Sequence, residues 1–388
     1  MSRPRKVQFC GALAAAAAVA ACGTVSSPRH TPGPSPATPA VTSGPSGPTS
    51  DHCAVAAQRP PRASFAAAFA TALAFAPDGR LFYAERAGRV RVWQGGGPRT
   101  FATVPTVTTE ADGSYSERGL LGLAVSPTFI TDRFVYAFYS DTDRIHQRVI
   151  RWRDCAGTGT AATVVLTLPS GSDCCHKGGR IAFGSDGMLY VTLGDEHSAA
   201  ASQVTSDVRG KVLRYRPDGG IPADNPFGPT DPVFAYGLRN PFGIAVGPSG
   251  QIAVTNNGPS GDAGSPGTGY DTLILSLARG GGYQWPLCYG YSHPLAGGAG
   301  CGGRIAPDWS SEGATVVPTG GAWIDSAAAQ PEAARFVFCS FEGGMLIVTP
   351  SASHATVTRG PSQCRLAVVE GPDHALYVSD GTHVDRLP

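Results

Sequence analysis

Residues 181–195 read Ile181-Ala182-Phe183-Gly184-Ser185-Asp186-Gly187-Met188-Leu189-Tyr190-Val191-Thr192-Leu193-Gly194-Asp195: an apolar strand, a tight turn and a second apolar strand. The Ser-Asp-Gly turn suits a hairpin, because glycine takes positive φ without steric cost. Just ahead of it stands Asp173-Cys174-Cys175-His176-Lys177-Gly178-Gly179-Arg180. His176 therefore sits in a glycine-rich loop at the mouth of a β-unit. Loops held by a rigid scaffold are where binding and catalytic groups concentrate.

The same unit returns along the chain. It is seen at Leu73–Glu85, at Gly122–Phe138 with a longer turn, at Gly243–Thr255, in degenerate form at Gly320–Phe338, and at Leu366–Asp380. Between the copies, Val90-Arg91-Val92-Trp93, Val149-Ile150-Arg151-Trp152 and Val212-Leu213-Arg214-Tyr215 alternate as half-buried outer strands do. Recurrence at roughly 45–75 residues, with about four strands per copy, is the pattern of propeller blades. The chain is predicted to be all-β, a six-bladed β-propeller over residues 53–388. Strands from its two ends should meet to close the ring and hide the sheet edges. A β-sandwich with accidental repeats is the competing architecture.

Composition agrees. Gly (51) and Pro (33) are abundant and charged residues are only 15% of the 388, which favours turns and short strands over long helices. With 30 Lys+Arg against 29 Asp+Glu, no electrostatic footprint for nucleic acid exists. Arg3, Arg5 and Lys6 precede an apolar run from Phe9 to Ala21, the pattern of a signal peptide. The run ends in Val19-Ala20-Ala21-Cys22, which looks like a bacterial lipobox with Cys22 as the lipidated residue. The expectation is export, with a lipid anchor at the outer face of the cell membrane, or secretion if the signal is a plain one. Residues 23–52, rich in Pro, Ser, Thr and Gly, are expected to be a disordered tether.

Beyond Cys10 and Cys22, eight cysteines remain, and an even set in an exported chain points to disulfides rather than metal. Cys288 with Cys301 is the favoured pair, and Cys339 with Cys364 the next. Cys174 and Cys175 are expected to pair outward, one of them with Cys155. No zinc-like spacing is present.

The motifs Glu117-Arg118-Gly119-Leu120-Leu121-Gly122-Leu123, His176-Lys177-Gly178-Gly179, Leu193-Gly194-Asp195 and Gly210-Lys211-Val212-Leu213-Arg214 occur in order. They are followed by Gly237-Leu238-Arg239-Asn240-Pro241-Phe242-Gly243, Asn257-Gly258-Pro259 and Tyr283-Gln284-Trp285-Pro286. Together they resemble the soluble quinoprotein sugar dehydrogenases of the glucose/sorbosone dehydrogenase family, from about Phe65 to Pro388. The resemblance implies pyrroloquinoline quinone and calcium at the channel mouth and a small-molecule sugar as substrate. It makes His176 the base that takes the sugar hydroxyl proton, a role suited to imidazole near pH 7. It sets Arg239 against charge developing on the quinone. Glu117, Asn240, Asn257 and Thr315 fall near the cofactor, and Gly258, Pro259 and Asp271 near calcium, with Asp262 competing for the acidic position. Bland readings stand beside these. Arg239 pairs with a carboxylate between blades, Gly258-Pro259 is a turn, Asp195 caps a loop, and Tyr283 and Trp285 are core or channel wall.

The chain also departs from the family. A lysine expected on the fifth blade aligns with Glu342, and two arginines on the sixth align with Cys364 and Leu366, with Arg365 pointing away between them. The quinone carries carboxylates that depend on such contacts, so Glu342 is expected to turn an attraction into a repulsion. Two functions follow. One is an exported sugar dehydrogenase with an altered cofactor pocket. The other is a non-catalytic propeller whose channel mouth binds a cell-surface glycan or a protein partner. A hydrolase has no motif behind it.

Overall fold

The structure is a computed structural model that describes residues 53, 55–267, 269–295, 300–324 and 335–387. The expected signal peptide, lipobox at Cys22 and tether fall outside the described residues. Six four-stranded antiparallel sheets form the blades of a propeller. The first five run in chain order from the inner strands Ala70–Phe75, Leu120–Val125, Ile181–Phe183, Asn240–Val246 and Pro318–Ile324. The sixth takes Ala367–Glu370, Leu376–Ser379 and His383–Leu387 from the C-terminal end and Phe65–Ala66 from the N-terminal end, with Phe65 opposite Val384. The ring is closed as the sequence predicts. Among the described residues the α-helical content is one short segment, Phe129–Asp132.

The repeated turn has one geometry. In blades one, three and four the N–H groups of Gly79, Gly187 and Gly250 donate to Ala76, Gly184 and Gly247 at 2.9 Å, with φ of +85°, +73° and +81°. Blade six places His374 at this left-handed position, with φ 58°. That residue type tolerates positive φ better than most.

The core lies between blades rather than within them. Each pair of neighbouring sheets shares one apolar layer, such as Phe82, Phe101, Phe129 and Trp152 between blades one and two. Leu189, Val191, Leu213 and Val233 fill the layer between blades two and three. At roughly 1.5–3 kcal/mol for each large apolar side chain buried, these layers hold the inner strands at fixed spacing around the axis. The third strands match the expected alternation in Arg89–Gln94 and His146–Cys155, but Lys211–Tyr215 is buried throughout. There the polar side chains find partners instead of water. Lys211 donates to the carbonyls of Ala201, Ser202 and Arg209, and Arg214 pairs with Asp186 and Asp224.

Cys288–Cys301 and Cys339–Cys364 are bonded, as expected. Cys174 and Cys175 bond to each other rather than outward, and Cys155 bonds Cys53. The Cα atoms of this adjacent pair are 3.7 Å apart, closer than the usual disulfide span.

Candidate active site

The six inner strands converge on the axis, and each gives one residue to a common level: Thr71, Leu121, Arg180, Phe242, Thr319 and Leu366. In blades one, two, four and five the strand register slips at this level, between Ala70 and Ala72, Leu120 and Gly122, Pro241 and Gly243, and Pro318 and Gly321. Such bulges re-aim a side chain, and here they fall at the residues that line the axis. Above this level lies a cavity of about 310 Å³. A second, of about 500 Å³, follows the inner strands toward their hairpin turns.

His176 lines the upper cavity and is buried. Its Nδ1 is 2.6 Å from Asp195 Oδ1. The loop leaves the hairpin's register to make this pair. Ile181 pairs with Val191, and continuing that register would set His176 opposite Glu196 and Lys177 opposite Asp195, whereas His176 meets Asp195 and Lys177 meets Glu196. The approach is close enough that a Cβ on Gly194 would lie 1.9 Å from the His176 carbonyl oxygen. His176, Glu196 and His197 all take positive φ, at 56°, 49° and 58°, a backbone state that non-glycine residues hold only where their surroundings impose it. Asp195 also accepts the His197 N–H at 3.0 Å and the Trp285 Nε1–H at 2.7 Å. It caps its loop, as one reading has it, and orients the histidine besides. Trp285, read as wall, holds the same carboxylate. His197 meets the His176 ring edge-on at 4.0 Å and pairs with Asp173 at 2.7 Å.

The other predicted site residues line the same cavity. Asn240 Nδ2 donates to Glu117 Oε2 at 3.2 Å, Asn240 Oδ1 accepts the Gly178 N–H at 3.1 Å, and Glu117 accepts the Lys177 N–H at 3.1 Å. Blades two, three and four are thereby tied around the His176 loop. Arg239 is engaged by Asp262 at 2.8 and 2.9 Å and by Ser260 at 2.6 Å, over the Trp285 ring. Burial pushes the Asp262 carboxyl up, but the hydrogen bonds and charge of Arg239 outweigh it and hold it below the usual range. Asp271 accepts the N–H groups of Gly258, Val316 and Val317 at 2.8, 2.8 and 2.9 Å. It thus fixes the Gly258-Pro259 loop against the segment that carries Thr315. Asn257 Nδ2 donates to the Pro318 carbonyl at 3.0 Å.

The Glucose / Sorbosone dehydrogenase family profile matches residues 68–381. The chain belongs to that family. It is 31% identical over 255 residues to quinoprotein glucose dehydrogenase B of Acinetobacter calcoaceticus, covering 57% of this chain and 50% of that protein. With aldose sugar dehydrogenase YliI of Escherichia coli (strain K12) it shares 31% over 230 residues, covering 56% and 58%. The chain thus spans about half the length of these two relatives. Among solved structures, the PQQ-bound form of aldose sugar dehydrogenase from Streptomyces coelicolor superposes with a TM-score of 0.64 at 25% identity, over 84% of this chain and 98% of that one.

Within this family fold, the wall formed by blades five and six corrects one expectation. Glu342 is exposed and does not line the cavity; Phe341 does. The Gly343 N–H donates to the Ser340 carbonyl at 2.9 Å, so the chain turns after the strand and carries Glu342 outward. No repulsion comes from it. Leu366 lines the cavity, while Cys364 is buried in its bond to Cys339. Arg365 is exposed, with its Nε donating to the Phe341 carbonyl at 3.0 Å and its guanidinium over the Phe341 ring. One residue escaped the sequence reading altogether. Arg180 is buried, and its Nε and both terminal nitrogens have no hydrogen-bond partner among the described residues. Its place directly before an inner strand, in the chain's Gly-Gly-Arg run, was the available signal.

Proposed function

We propose that this protein is an exported sugar dehydrogenase, anchored through Cys22 or secreted, that oxidises an aldose hydroxyl with pyrroloquinoline quinone and calcium. The observation that carries the reading is the His176–Asp195 pair facing the cavity of a family member. Asp195, held by the His197 N–H and the Trp285 Nε1–H, is the acceptor that favours the neutral imidazole's proton on Nδ1. Nε2 is then the acceptor for the sugar hydroxyl proton, and the imidazolium that results faces a fixed carboxylate. Four disulfides support an oxidising compartment.

The cavity residues fit the quinone. Leu121, Phe242, Val317 and Phe341 offer apolar wall to a flat ring, and Arg180 offers an unpaired buried cation to its carboxylates. Asn240, Asn257 and Thr315 are the polar groups that would hold it. When bound, the quinone supplies the acceptor for the hydride that leaves the hydroxyl-bearing carbon. For calcium, the carbonyl oxygens of Gly258 and Pro259 are the hard donors such an ion takes. Asp271 holds that loop in place, while Asp262 is committed to Arg239.

A binding-only propeller is the second reading. It is favoured by Phe341 and Leu366 in the cavity wall and by the disulfide at Cys364. Reconstitution of the full chain with pyrroloquinoline quinone and calcium, followed by dye reduction with aldoses, separates the two. Quinone absorbance retained on the protein together with aldose-dependent turnover is the expected result. Neither signal would sink the enzymatic reading and leave the second.

A further inference from the structure

The ring of six residues that lines the upper cavity holds one charge, and of these Thr71 and Arg180 also border the second cavity. Leu121, Phe242 and Leu366 are apolar, and the two hydroxyls are turned into backbone. Thr71 donates to the Leu120 carbonyl at 2.7 Å and Thr319 to the Arg365 carbonyl at 2.8 Å. Nothing in the ring balances Arg180. Its guanidinium lies 4.4 Å from the centroid of the Phe242 ring, which supports a cation from one face without satisfying any N–H. The residue is 6% exposed and borders both cavities. The acid that acts on it, Glu117, does so through space, its oxygens already accepting from Lys177 and Asn240. The other arginines of the cavity are spoken for: Arg239 by Asp262, and Arg86 by the carbonyls of Thr108, Ser116 and Arg118. A buried guanidinium with every donor free is costly unless a planar oxyanion takes it, and two parallel N–H···O bonds to a carboxylate are the geometry it is built for.

We infer that Arg180 is the carboxylate anchor of the site, holding an acidic planar ligand from the floor of the cavity rather than from the blade-five and blade-six wall. The inference rests on the quinone reading for the ligand's identity, and it names what replaces the basic residues absent at Cys364 and Leu366. Burial already lowers the Arg180 pKa to about 10, the direction expected of a cation that the free protein pays to keep. Removing the charge should therefore stabilise the ligand-free fold while weakening the ligand, a pairing characteristic of a binding group.

The test uses calorimetric titration of the full chain with pyrroloquinoline quinone in calcium buffer, alongside its trimethyl ester, in which the carboxylates are masked. Arg180→Gln is expected to weaken quinone binding roughly 100-fold, with Arg180→Lys in between, and the ester is expected to bind wild type and Arg180→Gln alike. Ligand-free Arg180→Met is expected to melt above wild type, which also reports that the variant folds. Equal quinone affinity in wild type and Arg180→Gln, or equal affinity of wild type for acid and ester, overturns the anchor while leaving the proposed function intact. If wild type takes up no quinone, the proposed function fails, and titration with isophthalate decides the anchor separately. Isophthalate binding that Arg180→Gln loses keeps it; no isophthalate binding by wild type overturns it.

Discussion

The two sides of the cavity are built differently. On the side of blades two to four, nearly every polar group is held by another: His176 by Asp195, Asn240 by Glu117, Arg239 by Asp262 and the Gly258 loop by Asp271. On the side of blades five, six and one, Val317, Phe341, Leu366 and Phe69 give an apolar wall backed by the Cys339–Cys364 bond, and Thr71, Thr319 and Arg86 turn their donors to backbone carbonyls. Both walls stand on the same blade repeat and the same inter-blade packing. On the proposed function, the difference teaches that the groups that would handle the proton and those that would grip the ligand are separable. The first is a network in which each member fixes the next, so loss of one member disorders several. The second is a set of independent side chains on a strand, replaceable one at a time without disturbing the sheet.

The largest effect should come from the polar wall. His176→Ala is expected to lower kcat for aldose oxidation about 10³-fold, near 4 kcal/mol of barrier, with the propeller still folded by circular dichroism. Asp195→Asn should cost about 10²-fold or more, because the amide presents the wrong hydrogen-bonding pattern to Nδ1. Turnover that survives in His176→Ala would move the base elsewhere and break the contrast between the walls.

The apolar wall should answer in stability instead. Replacing both Cys339 and Cys364 by serine removes a bridge that links residues 25 apart and joins blade five to the start of blade six. The expected loss is about 2–4 kcal/mol, read as a melting midpoint lower by roughly 5–10 °C, with kcat at 25 °C unchanged within about twofold. A fall in kcat as large as that of Asp195→Asn would show that the two walls are coupled after all.

How far the sequence foretold this arrangement depends on range. The blades were legible because blades one, three, four and six repeat a turn that needs a left-handed residue, and Gly79, Gly187 and Gly250 announce it in three of them. His176 was legible because it stands in a motif at the end of such a unit. Its partner was not, since the hairpin register continued would set Glu196 opposite His176, and Asp195 read more simply as a loop cap. Arg180 was hidden because its meaning depends on five other strands, whose ring residues leave it unanswered. Glu342 was misread for a related reason. Position along a strand tells which face a side chain takes only while the strand lasts, and the turn after Ser340 ends it.

The smallest effect lies in the acid response of the polar wall. Asp262 has a folded-state pKa below its unfolded value, because the Arg239 hydrogen bonds and charge outweigh burial. The depressed carboxylate contributes stability above the unfolded value, near 3.9, and that contribution is lost as pH falls through the folded value. Asp262→Asn lacks it at every pH, while Arg239 keeps Ser260 and the Trp285 ring as partners. At pH 7 wild type should therefore be the more stable by on the order of 1 kcal/mol, because the pair is only partly shielded from solvent. The gap should close as melting is followed from pH 5 down to pH 2, with wild type falling faster. An apolar wall has nothing to titrate there, so the closing gap isolates the contribution of one ion pair on the other side. Parallel melting curves for wild type and Asp262→Asn across that window would remove Asp262 from the acid response and leave Arg239 held by its neutral contacts alone.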